Sequence, residues 1–85
     1  MTEAYILVVI SSQHELYGFG RSVIEKLGAL RGVESAELLF GDYDAIMKVK
    51  MPSIDDIETL IIEEISLIEG VNDTITLLCV DETIL

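Results

Sequence analysis

Apolar residues follow strand and helix periods in a fixed order along the chain. Residues 5–10 form a continuous apolar run, rich in β-branched side chains, and predict a strand that is buried on both faces. Three later runs also predict strands: residues 33–40, 45–51 and 71–80. Apolar residues recur at helical spacing between residues 20 and 30, and again between residues 54 and 68. The predicted order of elements is therefore β-α-β-β-α-β.

Proline, serine and glycine mark the ends of the predicted helices, and residues 11–20 predict a loop before the first one. Pro52 cannot donate to a strand ladder and ends the third strand, and Ser53 is a good N-cap for the second helix. The core-facing stripe of that helix consists of Ile54, Ile57, Ile61, Ile65 and Ile68. Gly70 ends this helix, and Gly32 lies just past the first one, where a left-handed cap is easiest for glycine.

This order predicts an α+β fold of the ferredoxin-like type, in which two helices cover one face of a four-stranded antiparallel sheet. The 85 residues form one domain, residues 1–85. The first strand is apolar on both faces, and the last carries Leu78 and Val80 opposite Leu77 and Cys79. Because monomers avoid a contiguous apolar patch, we expect two sheets to pack face to face in a symmetric dimer, as in dimeric α+β barrels.

The chain is strongly acidic, with a net charge of -11 from 16 acidic and 5 basic residues. Nucleic acid and anionic membrane surfaces both attract clustered Lys and Arg, so we expect neither as a partner. Cys79 is the single cysteine, which excludes an intrachain disulfide and fits a reducing compartment. The first apolar run is too short to span a bilayer and has no basic segment before it. We therefore expect a cytoplasmic protein.

The turn Gly41-Asp42-Tyr43-Asp44 joins the second and third predicted strands and is the main candidate for chemistry. Glycine before an acid-aromatic-acid triplet predicts a turn that exposes backbone N–H groups and directs its carboxylates outward. Such a turn can hold a small zwitterion, because a carboxylate takes the ammonium group and backbone amides take the carboxyl group. A plain hairpin turn is the alternative, although two mutually repelling acids and a tyrosine are more than a turn needs.

No residue set indicates a metal, a cofactor or a catalytic centre. His14 has no cysteine or second histidine nearby, and the sequence contains no CxxC pair. Cys79 has no evident base to activate it, which indicates a small core or interface residue rather than a nucleophile.

Two segments carry a resemblance to a known family. Residues 36–49, which contain the GDYD turn, resemble the Lrp/AsnC transcriptional regulators, and so do residues 68–76, which contain GVNDTIT. In that family a GDYD turn joins strands two and three of the effector-binding domain, also called the RAM domain, and a GVxxTxT stretch opens strand four. The resemblance extends over essentially the whole chain.

The resemblance implies a site and an assembly. RAM domains pair through their sheets into dimers, dimers join into octamer-like rings, and free amino acids bind in clefts between dimers against the turn. By position, Gly41, Asp42, Tyr43 and Asp44 would form one wall of that cleft, and Thr74 and Thr76 would supply polar contacts. Full-length members carry an N-terminal helix-turn-helix domain. Here the first strand follows Met1 almost at once, so we expect a stand-alone RAM domain that modulates full-length regulators without binding DNA directly.

Three other functions are compatible with this topology. Small βαββαβ dimers include monooxygenases and isomerases, which would need a cluster of His, Arg or Tyr near an acid, and this chain has one His. RNA-recognition domains need aromatics on strands one and three, and the third strand here has none. The last alternative is a purely structural assembly module.

Overall fold

A computed structural model describes residues 1–11 and 16–80, and of residues 16–18 it describes the backbone. The strands are β1 (Thr2–Ile10), β2 (Val33–Leu38), β3 (Ala45–Met51) and β4 (Val71–Leu78). The helices are α1 (Leu16–Gly28) and α2 (Ile54–Leu60), and α2 continues as a π-helix over Ile61–Ile65, called the π-turn below. This order confirms the predicted β-α-β-β-α-β arrangement.

The four strands form one antiparallel sheet in the order β2-β3-β1-β4. β1 is central and pairs with β3 on one side and with β4 on the other, so that Ile6 lies opposite Met47 and opposite Thr76. The ferredoxin-like fold is therefore confirmed. Since the strands alternate in direction, the C-terminal end of β1 lies beside the start of β3 and the start of β4.

The core is a single layer between one face of the sheet and the helices. β1 and β3 alternate as half-buried strands do, with every second side chain directed into this layer. The buried sheet residues are Ala4, Ile6, Val8, Ile10, Ala45, Met47, Val49 and Met51. The helices add Val23, Leu27, Ile57, Leu60 and Ile65. The opposite face of the sheet has no helix over it among the described residues.

Several boundaries differ from the sequence prediction, and β1 begins at Thr2 instead of residue 5. The first helix begins at Leu16, not near residue 20, because packing outweighs the low helix propensity of Gly20, and Phe19 packs against the core. β2 ends at Leu38 and β4 at Leu78, since Phe40 and Val80, which follow them, are exposed and have nothing to pack against. His14 and the predicted tail after residue 80 lie outside the described residues.

The second helix begins as predicted and then widens. The Ser53 side chain accepts a hydrogen bond from the Asp56 N–H at 3.3 Å, which confirms the N-cap. Ile54, at the start of the predicted stripe, is 47% exposed, whereas Leu60 is buried. Leu60 and Ile65 are five residues apart, and a π-helical step of five residues places both side chains in the core.

The face of the sheet without helices carries apolar side chains from three strands, and it is called the open face below. Its members are Tyr5, Leu7, Val9, Ile46, Ile75 and Leu77. Tyr5 is exposed and Leu77 is 51% exposed, so β1 is not buried on both faces by its own chain as predicted. Leu78 points to the helix side, opposite Ala4, and is exposed as well because β4 is the outermost strand.

None of the helices within residues 1–11 and 16–80 has the length and apolar character needed to cross a membrane.

Candidate functional site

The connection between β2 and β3, residues 39–44, is called the site turn below. It is held by the backbone at both ends. The Leu39 N–H donates to the Asp44 carbonyl at 2.9 Å, and the Asp44 N–H donates to the Val8 carbonyl, also at 2.9 Å. The first bond closes the tip of the turn, and the second ties it to the central strand. The site turn is therefore a fixed extension of the sheet rather than a free loop.

The Asp44 side chain adds a third attachment. Its Oδ2 accepts a hydrogen bond of 2.7 Å from the backbone N–H of Ile10. β1 extends two residues beyond its last pair with β3, Val8 opposite Ala45, so the Ile10 N–H has no ladder partner on that side and the carboxylate replaces it. The prediction that both acids of the turn point outward is thus wrong for Asp44, which is a structural anchor.

The tip of the site turn is open to solvent. Asp42 is exposed and Tyr43 is half-buried. Gly41 does not adopt the left-handed backbone, and a Cβ atom added there would meet no atom within 4 Å. Neither its own backbone nor crowding within this chain therefore requires glycine at this position. What the glycine provides is free space on the outside of the turn.

Thr74 lies close to the turn, and Thr76 lies farther away. Thr74 pairs with Val8 on β4, and the carbonyl of the same Val8 accepts from Asp44. Thr74 and Asp44 thus flank one point of β1, roughly two strand spacings of about 4.8 Å apart. The Thr74 N–H donates to Asp73 Oδ1 at 2.9 Å. Thr76 is two residue pairs farther along, opposite Ile6, and is exposed on the helix side of the sheet.

Charge is distributed unevenly along the sheet. Four acids lie at the end that carries the site turn: Glu37, Asp42, Asp44 and Asp73. The basic residues of the described strands are Lys48 and Lys50, and β3 carries both of them away from that end. Lys48 Nζ lies 3.4 Å from Glu3 Oε1 and 5.7 Å from the centre of the Tyr5 ring. The carboxyl group of a ligand at the turn would therefore be held by backbone N–H groups and hydroxyls, not by a strand cation.

Within residues 1–11 and 16–80, no group of His, Cys, Asp or Glu side chains has the geometry to hold a metal ion. Cys79 is a free and exposed thiol.

Sequence reasoning did not single out two groups that lie at the site turn. Phe40, at the start of the tip, is 104% exposed relative to its reference state, and the N–H of Ile10 fixes Asp44. The position of Phe40 directly before Gly41 was a usable signal, because an apolar residue beside a turn glycine cannot continue the inward face of the strand. The Ile10 contact depends on how far β1 extends beyond β3, which no local pattern contains.

Comparisons with known proteins agree with this geometry. The family described as the Lrp/AsnC ligand binding domain matches residues 3–84. An uncharacterised HTH-type transcriptional regulator of Pyrococcus horikoshii is 29% identical over 76 residues, which are 89% of this chain and 49% of that protein. The chain spans about half the length of the curated relatives it matches.

Solved structures share the fold over nearly the whole chain. A hypothetical protein of Pyrococcus horikoshii is 33% identical with a TM-score of 0.82, over 96% of this chain and 93% of that one. AsnC of E. coli is 26% identical with a TM-score of 0.84, over 99% of this chain and 54% of that one. The sheet order, the site turn and these matches lead to one conclusion: the chain belongs to the Lrp/AsnC ligand-binding domain family.

Proposed function

We propose that this chain senses free amino acids, binding the effector at the site turn in an assembly that acts on transcription regulators of its family. The observation that carries the proposal is the contrast within the turn. Asp44 is tied to Ile10 and fixes the turn, while Asp42, next to the open space at Gly41, is exposed. A site of this kind is preorganised and unfilled by its own chain, which favours binding over a purely structural role.

The chemistry assigned to each group follows from its surroundings. Asp42 takes the ammonium group of the effector, because it is the exposed carboxylate at the tip. Backbone N–H groups beside Gly41 take the effector carboxylate, where the absence of a side chain lets the ligand approach closely. In this proposal Thr74, which lies across β1 from Asp44, supplies a hydroxyl, and Thr76, which lies farther from the turn, contacts only a longer ligand. Tyr43 is half-buried and forms a side wall.

A neighbouring copy completes the cleft in this proposal. The site turn has no cover within the described residues, and the open face offers a second surface for association. We propose that copies pair through the open face and that such dimers assemble further into an octamer-like ring, which closes a cleft over each turn. A transcriptional regulator of Neisseria meningitidis with this fold (TM-score 0.77, 16% identity) has been solved as a complex with L-Met. That complex supports an amino acid as the class of ligand.

The regulatory partner in the proposal is a full-length Lrp/AsnC protein, joined through the same surfaces. A net charge of -11 argues against direct contact with DNA, so in this proposal the effect on transcription passes through the partner. The free thiol of Cys79 supports a location in the reducing cytoplasm.

Calorimetry with each of the twenty amino acids tests the proposal, using the wild type, Asp42→Asn and Asp55→Asn. Asp55 is a matched control, because it is an exposed acid on α2. We expect heat with at least one amino acid, binding weakened about tenfold or more by Asp42→Asn, and no effect of Asp55→Asn. If none of the twenty amino acids gives a heat of binding, the proposal is wrong. If Asp42→Asn and Asp55→Asn bind the effector equally well, Asp42 is not part of the site.

A further inference from the structure

Phe40 is exposed beyond what turn formation explains. Its side chain is 104% exposed, whereas Phe19, the other phenylalanine, packs against the core. An aromatic ring that stays in water does not contribute the favourable free energy that burial of its surface would give. Exposed aromatics of this kind on rigid supports are typical anchors in binding sites.

The support beneath Phe40 is rigid. Leu39, directly before it, donates to the Asp44 carbonyl, and Asp44 is bound to both Val8 and Ile10. The backbone next to Phe40 is therefore held in place, and the exposed ring does not fold back onto the sheet.

The spacing of the tip matches the size of an amino acid. Phe40 and Asp42 are two residues apart, so their Cα atoms are at most about 7.6 Å from each other, twice the spacing of successive Cα atoms. A ligand whose ammonium group binds Asp42 over Gly41 can thus extend its side chain toward Phe40. The two groups divide the ligand into a charged part and an apolar part.

The charges near the turn narrow the ligand class. Glu37, Asp42 and Asp73 lie at this end of the sheet, and the strand lysines lie toward the other end. An anionic ligand side chain would meet repulsion there, and no strand cation would offset it. A polar amide side chain would lose hydrogen bonds to water against the ring without replacing them.

We propose that Phe40 selects effectors with an apolar side chain, such as leucine, isoleucine or methionine, over those with an anionic or amide side chain. The inference rests on the proposed function, because it concerns the same site. It adds the side-chain class of the amino acid that binds and names Phe40 as the residue that determines this preference.

The test compares selectivity rather than affinity. The dissociation constants of leucine and of asparagine, which is of similar size, are measured by calorimetry for the wild type, Phe40→Ser, Phe40→Leu and Ile62→Ser. Ile62 is a matched control, because it is an apolar side chain that is 66% exposed on the π-turn. Circular dichroism checks that each variant is folded, which we expect since both positions are exposed.

For the wild type we expect leucine to bind at least about tenfold more tightly than asparagine. Phe40→Ser should bring this ratio close to one, Phe40→Leu should keep most of it, and Ile62→Ser should leave it unchanged. An equal loss for both amino acids in Phe40→Ser would overturn the inference, because Phe40 would then be an assembly contact. A wild type that prefers asparagine or lysine would overturn it while the proposed function stands. If no amino acid binds the wild type, the proposed function fails as well.

Discussion

The backbone N–H of Ile10 donates to the carboxylate of Asp44, 34 residues farther along the chain, at a distance of 2.7 Å. The bond joins the end of the central strand to the start of β3 and holds the site turn between them. It also separates the roles of the two acids of the turn. Asp44 is a structural anchor, and Asp42 is the exposed carboxylate.

Replacing Asp44 with alanine should destabilise the fold by about 1–3 kcal/mol, because the Ile10 N–H loses a charged acceptor in a partly buried position. Asp44→Asn should cost less, since its amide oxygen can still accept. Urea denaturation measures both. The control is Asp42→Ala, which should change the free energy of unfolding by no more than about 0.5 kcal/mol. Equal effects of Asp42→Ala and Asp44→Ala would contradict the division of roles.

Replacement by alanine should destabilise the fold much more at Gly70 than at Gly41. Gly70 has φ +103, and a Cβ atom there would lie 2.7 Å from Cζ of Phe19 and 2.9 Å from Cγ2 of Val23. Strain and crowding together should cost at least about 2 kcal/mol. Gly41→Ala meets no atom and no left-handed backbone, so its stability should stay within about 1 kcal/mol of the wild type.

Thermal and urea unfolding of the two glycine variants measure this difference. If the cleft lies over Gly41 as proposed, Gly41→Ala should also weaken effector binding while the fold is retained. Unimpaired binding by a folded Gly41→Ala protein would place the ligand elsewhere.

Lys48 should make the stability of the fold depend on alkaline pH. Its hydrogen bond to Glu3 raises the pKa of Lys48 above the ordinary value of 10.5, and the negative charges of Tyr5 and Glu3 raise this pKa further. A raised pKa in the folded state means that the contribution is complete below pH 10.5 and is lost as the pH rises through the folded value.

We therefore expect Lys48→Met to be less stable than the wild type at about pH 8, and the difference to shrink as the pH rises above 10.5. Urea denaturation at several pH values gives the comparison. Lys50→Met, which changes the next lysine of β3, is the control and should show a weaker pH dependence. A difference that grows with pH would refute the assignment to Lys48.

A glutamate at Leu77 should prevent copies from pairing through the open face. Leu77 is 51% exposed in the single chain, and the proposed dimer would bury it in both copies, so that a charge there would be desolvated twice. Sedimentation velocity should show a monomer for Leu77→Glu and a larger species for the wild type. Leu67→Glu, at an exposed apolar residue outside the sheet, should behave as the wild type. A wild type that is monomeric at micromolar concentration would contradict the pairing.

Local patterns were sufficient for most of the fold. The period of two gave β3 its observed bounds, Ala45–Met51, and Ser53 caps α2 because its hydroxyl can replace a missing backbone partner. Gly32 has the left-handed φ of 90 that its place after the first helix indicated. These features are set by residues that are near one another in sequence.

Other features depend on contacts between distant residues. The isoleucine stripe predicted a regular α-helix. In the structure both Leu60 and Ile65 are buried against the sheet, and the helix widens into the π-turn between them. The Asp44 side chain turns toward the Ile10 N–H because β1 extends two residues beyond its last pair with β3. The sequence identified the turn as the candidate site. Only the structure shows that Asp44 anchors the turn while Asp42 is exposed.

β2 and β4 form the two edges of the sheet, and their outer backbone groups have no ladder partner among the described residues. Acids stand along both, Glu34 and Glu37 on β2 and Asp73 on β4, and each copy carries the same net charge of -11. Mutual repulsion between such edges opposes the uncontrolled strand-to-strand aggregation to which bare edges are prone. The same repulsion is weakened as dissolved salt shortens its range to about 10 Å at 0.1 M. Ionic strength should therefore set how readily copies associate, with dilute buffer keeping them apart.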